Sequence, residues 1–264
     1  MPSVSPNLLL FTRIGFATRG LLYLLVGFLA LRLGRIEETG GAMRWLRGQA
    51  GGMVLGALAF GFACYGAWRL FDALLDTQNK GRDLKGAVKR VAGGGSGLIH
   101  LGLAYSAVKL ALGGSASGNA SDRAEGGAAM AMSVPGGEAL LWAAAAILAV
   151  AAVAQFGIAG RRSYCKHLAP GARNRWWAVA AGSGGHAARG AIFLFAAWLA
   201  LRAGLDHRPG EAGALADALR TMPGWLRTAV AGGLCLFGAY SLIEARFRIL
   251  PEPAVGDRLK SALA

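Results

Sequence analysis

Six stretches of apolar and small residues constrain this chain more than anything else in it: Ile14–Leu33, Met53–Leu75, Val91–Leu112, Ala139–Ala159, Gly185–Ala203 and Trp225–Ile249. At about 1.5 Å per residue, some twenty such residues cross the roughly 30 Å hydrocarbon layer of a bilayer. None alternates polar and apolar residues as a barrel strand would. In lipid each backbone N–H and C=O must find a partner within its own segment, which selects helices. The expected fold is all-α, a polytopic transmembrane helical bundle of six spans.

The spans are copies of one another. Arg13–Gly34 (RIGFATRGLLYLLVGFLALRLG) recurs as Ser183–Gly204 (SGGHAARGAIFLFAAWLALRAG) and more faintly as Arg90–Ala111. The second helices match too, Cys64–Ala73 (CYGAWRLFDA) with Leu236–Ala245 (LFGAYSLIEA). The unit is therefore a two-helix hairpin. An even number of spans per unit sets three hairpin repeats the same way up, in a pseudo-threefold arrangement about an axis along the membrane normal. The expected division is repeat one 13–78, repeat two 90–162, repeat three 183–249 and a cytoplasmic tail 250–264, all within a single membrane domain 1–264. Small residues such as Gly20, Gly27, Gly66, Gly97 and Gly238 offer faces on which helices approach closely, the main cohesive force between helices in lipid.

The net charge of +14, from 28 Lys and Arg against 14 Asp and Glu, would suggest nucleic acid in a soluble protein. Here the basic residues lie largely in short loops, where they orient the chain in the membrane. No loop interleaves a basic stripe with aromatics, so no nucleic-acid partner is expected. Fifteen Lys and Arg flank the span ends on the face that carries both termini, and ten flank the opposite face. Both termini are then expected in the cytoplasm, with the protein in a bacterial inner (plasma) membrane. The expected partners are membrane lipids, anionic at the basic loops Lys80–Arg90 and Arg161–Arg175, and another membrane protein. Leu8–Phe11 reads as a short interfacial turn, Gly41–Leu46 and Ala212–Arg220 as short amphipathic helices, and Gly113–Ala129 as a mobile loop.

The layout resembles the bacterial domain-of-unknown-function 1206 family, whose members carry three tandem two-helix repeats. The resemblance rests on Gly15, Ala17, Arg19, Gly20, Tyr23, Gly27 and Leu31 in the first unit and on the connector Asp76, Gly81, Asp83, Gly86 and Arg90. Ala188-Arg189-Gly190, Phe193 and the closing run Glu244-Ala245-Arg246-Phe247-Arg248 add to it. The alanine-rich fourth span departs most. The resemblance implies a layout and carries no reaction with it.

Charges inside the spans are the candidates for chemistry, because one left unpaired near the bilayer centre costs about 3 kcal/mol. Arg19 and Asp72 lie at similar depth in the first hairpin, and Arg189 and Glu244 occupy the matching places in the third. In the second unit Ser96 replaces the arginine and no acid stands near Ile158. The expected intramembrane ion pairs are Arg19–Asp72 and Arg189–Glu244, each clamping its own hairpin. Arg69 is expected to snorkel to the inner surface. His100 and Ser96 form a candidate polar site. His186 lies seven positions from His100 in repeat register, which argues against shared haem ligation.

Cys64, Cys165 and Cys235 have no metal or redox spacing, and no phosphate loop or nucleophile elbow is present in the sequence. No cofactor, metal site or enzymatic activity is expected. Self-neutralising charges favour a non-enzymatic scaffold or accessory subunit. The alternative is a small ion or solute transporter or channel along the pseudo-threefold axis, which a cavity reaching the midplane and lined by His100 or Glu244 would favour.

Overall fold

The computed structural model describes residues 6–33, 39–78, 80–81, 83–114, 120–213 and 223–249. In chain order the helices are α1 (Pro6–Leu33), α2 (Thr39–Leu75), α3 (Leu84–Ala111), α4 (Ala120–Met132), α5 (Glu138–Arg161), α6 (Pro170–Arg173), α7 (Trp176–Leu205), α8 (Pro209–Gly213) and α9 (Gly224–Phe247). A 3₁₀ turn covers Ser163–His167, and the described residues contain no strand, only an isolated bridge between Leu168 and Arg248. Six of the helices (α1, α2, α3, α5, α7 and α9) are long and apolar enough to cross a bilayer. The chain is a multi-pass membrane protein of three two-helix repeats.

Several local expectations change. Leu9–Phe11 is already helical within α1. Gly41–Leu46 is continuous with the second span, and Gly51 (φ 74°) marks the bend between them. Residues 120–129, expected to be mobile, belong to α4. Helix α8 ends at Gly213, so residues 214–220 of the second amphipathic segment lie outside the described residues, as does the tail 250–264.

Among the described residues the lateral order of the long helices is α3, α2, α1, α9, α7, α5, an open ring whose first and last members make no extensive contact with one another. The most extensive contacts lie between repeats: α2 on α3, α1 on α9 and α5 on α7. Glycine explains these pairings. A Cβ on Gly238 of α9 would stand 2.8 Å from the Gly20 carbonyl oxygen and from the Leu24 backbone nitrogen of α1. A Cβ on Gly97 of α3 would stand 3.0 Å from the Gly66 carbonyl oxygen of α2. Gly190 of α7 meets the Phe156 ring of α5 in the same way. With no hydrophobic drive between helices in lipid, only such close approach gives enough dispersion contact to hold them.

Contacts within a repeat also use glycine. Gly15 lies under the Tyr65 backbone and Gly185 under the Phe237 backbone, where a Cβ would come within 2.8 Å and 2.5 Å of the respective Cα atoms. An apolar cluster that includes Leu22, Leu29, Leu55, Phe62, Ala107 and Leu234 fills the half of the bundle away from the termini. Outward residues such as Phe60, Ile147, Val150 and Val153 are exposed, as lipid-facing residues are.

A Gly238→Ala substitution should lower the thermal unfolding midpoint in detergent, at a cost of about 1–3 kcal/mol, because backbone atoms cannot yield to the added methyl. Gly232→Ala, six residues away with nothing within 4 Å of its Cβ position, should leave the midpoint unchanged or raise it.

Candidate functional site

The α2–α3 connector is a set of nested caps. Asp76 (φ 49°) ends α2, and its carboxylate accepts from Lys80 N (2.6 Å) and Gly81 N (3.1 Å). Gly81 turns with φ 93°, and Asp83 then caps α3 by accepting from Gly86 N at 3.0 Å. Arg90 reaches back one helix to donate to the carbonyls of Ala73 (2.8 Å) and Leu74 (2.9 Å). Asp83 and Arg90 meet otherwise orphaned helix-end donors and acceptors, and Asp76 holds the turn between the two helices.

Below this connector sits a buried charge network. Arg19 donates from Nη2 to Glu244 (2.6 Å), from Nη1 to the Tyr65 hydroxyl (2.7 Å) and from Nε to Ser241 Oγ (3.1 Å). Its guanidinium also lies 4.8 Å from the Phe16 ring centre and 5.0 Å from that of Phe237. Glu244 takes a second ion pair from Arg248, which also donates to Gln78 Oε1 at 2.9 Å. Gln78 in turn donates from Nε2 to Asp72 at 2.7 Å. Asp72 is fully buried, accepts from Thr77 Oγ1 at 2.8 Å and pairs with Lys80. The network thus runs from repeat one to repeat three without a break.

The expected pairings are therefore exchanged. Arg19 pairs with Glu244 instead of Asp72, and Asp72 pairs with Lys80. Arg189 makes no ion pair among the described residues; its guanidinium lies over Phe237 (4.6 Å), Phe193 (5.2 Å) and Tyr23 (5.8 Å), and its Nε is buried without a hydrogen-bond partner. Arg69 does not simply snorkel. Its Nε is likewise buried and unpartnered, with the guanidinium 5.7 Å from the Trp68 ring.

These groups surround a cavity of about 610 Å³. Gln78, Lys80, Lys166 and His167 line its outer part, on the face where α1 begins and α9 ends. Arg19, Tyr65, Arg189 and Phe237 line it further in, and Arg69 lies one turn nearer the end of α2 than Tyr65. Seven of the lining residues are Lys or Arg, against one acid, Glu244. Ser96 lines the wall, whereas His100 lies behind Tyr65, its ring 4.4 Å from the tyrosine's and its Nδ1 bonded to the Ser96 carbonyl. Sequence reasoning overlooked Gln155, which bonds His186 Nδ1 at 2.6 Å, and Tyr164, which donates to the Val179 carbonyl at 2.9 Å. Burial raises the Tyr164 phenol above its ordinary pKa, so it stays a neutral donor. The described residues hold no cluster of His, Cys, Asp and Glu able to bind a metal.

The profile of the family described as Domain of Unknown Function (DUF1206) matches residues 14–76, 91–162 and 184–248. The chain belongs to this family. A relative from Bacillus subtilis (strain 168), named "Uncharacterized protein YxxB", is 26% identical over 251 residues, covering 90% of each chain. No solved structure matches.

The DUF1206 segments end at Asp76, Arg162 and Arg248, and this fixes the register of the alanine-rich span. Asp72, Ile158 and Glu244 then hold one position in the three second helices. Arg69, Gln155 and Ser241 hold another. Because the tight contacts run between repeats, the acid of one repeat faces the first helix of the next. Glu244 meets Arg19 and completes the set. Asp72 faces the α3 position held by Ser96, and there Arg69 and Ser96 replace Ser241 and Arg19 with the charge moved to the other helix. Arg189 faces Ile158 and has no carboxylate. One clasp in three is complete, and Arg189 is left over.

A double-mutant cycle distinguishes the two pairings. Arg19→Gln with Glu244→Gln should show a coupling of about 1–3 kcal/mol in unfolding free energy, and Arg19→Gln with Asp72→Asn should be additive to within about 0.5 kcal/mol.

Proposed function

We propose that this protein binds an anionic ligand in the vestibule on its repeat axis. The observation that carries the reading is the vestibule lining, with seven basic side chains to one carboxylate and three guanidinium Nε atoms, those of Arg69, Arg189 and Arg248, buried without partners. Cations set in low-dielectric walls focus their field into the cleft and raise the local anion concentration. By the excess of Lys and Arg around the span ends, we place the mouth and both termini on the cytoplasmic side of a bacterial plasma membrane. No chemical step and no cofactor are part of this proposal.

A scaffold role follows from charges that neutralise one another, and Arg69 and Arg189 do not meet that premise. Transport along the axis is the second reading. Arg189 is the fourteenth residue of the thirty in α7, so the vestibule reaches about half-way along the helix, and the apolar cluster around Leu29, Leu55 and Leu234 closes the rest. A one-sided cavity above a plug is what one state of an alternating-access carrier presents.

Replacement of Cys64, Cys165 and Cys235 by alanine, with Ser96→Cys added, places one thiol on the vestibule wall. A negatively charged methanethiosulfonate should label it faster than a positively charged one, by about tenfold or more over their ratio on a free thiol. Equal corrected rates, or an inert thiol in a well-folded protein, would remove the reading.

A further inference from the structure

Repeat two differs from the others in how its helices meet. In repeats one and three, a glycine slides under an aromatic backbone and an aromatic trio fills the crossing. Phe16 lies 5.4 Å and 5.2 Å from Tyr65 and Trp68, and His186 lies 5.6 Å and 5.4 Å from Phe237 and Tyr240. By register, repeat two has Ala92 for the glycine and Gly93, Ala151 and Ala154 for the trio. It has lost both the recess and the rings that fill it. Among the described residues, α3 and α5 accordingly do not pack on one another, and the ring is open there.

The opening coincides with the unpaired charge. Ser96 of α3 and Gln155 and Ile158 of α5 line the vestibule on this side, with Arg69 and Arg189 among the same lining. Ile158 and Gln155 lie about 5 and 9 Å below the end of α5, one to two turns into the bundle. Val91 and Leu98 of α3 and Val150 and Val153 of α5 are exposed apolar residues, so bilayer lipid borders both helices of the seam. A head group at the membrane surface moves sideways through the seam and one to two helical turns inward, to the depth of Ile158 and Gln155, to reach the guanidiniums, and its acyl chains stay in the hydrocarbon. An ammonium-bearing head group would meet surplus positive charge, whereas an anionic one neutralises it.

We infer that the vestibule takes the phosphate head group of an anionic membrane lipid, which enters between α3 and α5 and is held by Arg189 and Arg69. This rests on the anion-binding reading above and adds the ligand and its route. The missing clasp of repeat two is the binding site: where repeat three supplies Glu244 to neutralise an arginine, repeat two leaves that task to the lipid.

The test uses the full chain in nanodiscs of equal parts phosphatidylglycerol and phosphatidylcholine, with the lipid retained after release read by native mass spectrometry. The wild type should keep phosphatidylglycerol over phosphatidylcholine. Retention should fall by about tenfold in Arg189→Gln and in Ile158→Glu, which keeps the arginine and supplies the missing carboxylate. Arg123→Gln, exposed on α4 and outside both basic loops, should change nothing, and each variant is first shown to elute as a single folded species. Equal retention of the two lipids, or an equal loss in Arg123→Gln, would overturn the inference. In a parallel arm, glycerol 3-phosphate is titrated against labelling of the Ser96→Cys thiol in phosphatidylcholine discs. Protection there without phosphatidylglycerol retention would overturn the lateral lipid route and leave the anion vestibule standing; neither effect would remove both.

Discussion

The structure depends on close backbone approach between helices of successive repeats. Gly20 against Gly238 and Gly66 against Gly97 bring two main chains within reach of one another. Only at such separations can an arginine on one helix reach a carboxylate, a phenol and a hydroxyl presented by its neighbours. Lipid supplies neither water to solvate Arg19 nor pressure to drive helices together, so packing and charge satisfaction have to be met by the same surface. The result is a polar network inside an apolar bundle, with each nitrogen of Arg19 donating to a partner.

The same rule explains what is incomplete. Threefold repetition offers three places for the arginine–carboxylate clasp, and substitution has broken two in different ways. Between α2 and α3, Arg69 and Ser96 reverse the Arg–Ser pair, and Asp72 turns to Lys80 and Gln78. Between α5 and α7, Ile158 removes the acid outright and Arg189 rests on aromatic faces. Cation–π contacts of this kind stabilise a desolvated guanidinium by about 2 kcal/mol, enough to keep it inside without satisfying its N–H groups. Departure from symmetry, not symmetry itself, makes one side of the vestibule different from the other two.

Much of the fold was legible in the sequence, because hydropathy fixes span number and the recurrence of Arg13–Gly34 fixes the unit. The connector motif was legible as a pattern, and its parts prove to be helix caps. The pairing of charges was not. Arg19 and Asp72 were expected at similar depth, but depth is a one-dimensional quantity and does not say which neighbour lies beside a helix. The assumption that sequence-adjacent helices pack closest put Asp72 beside Arg19, whereas the glycine faces put α9 there. The signal was present: Gly238 precedes Glu244 by six residues, and Gly66 precedes Asp72 by the same interval, marking the close-packed face on both second helices. Gln155 stayed hidden because the alanine-rich span offers few landmarks for register.

The contact of α1 with α9 has a consequence for biogenesis. Span α1 finds its most extensive neighbour only when α9, four spans later than its own hairpin partner, has been made, so Arg19 enters the bilayer well before Glu244 exists. For most of synthesis it is a lone cation in hydrocarbon, held by whatever water, head group or insertion machinery can reach it. A chain that stalls before α9 therefore displays on α1 a charge without its carboxylate, which the completed bundle conceals.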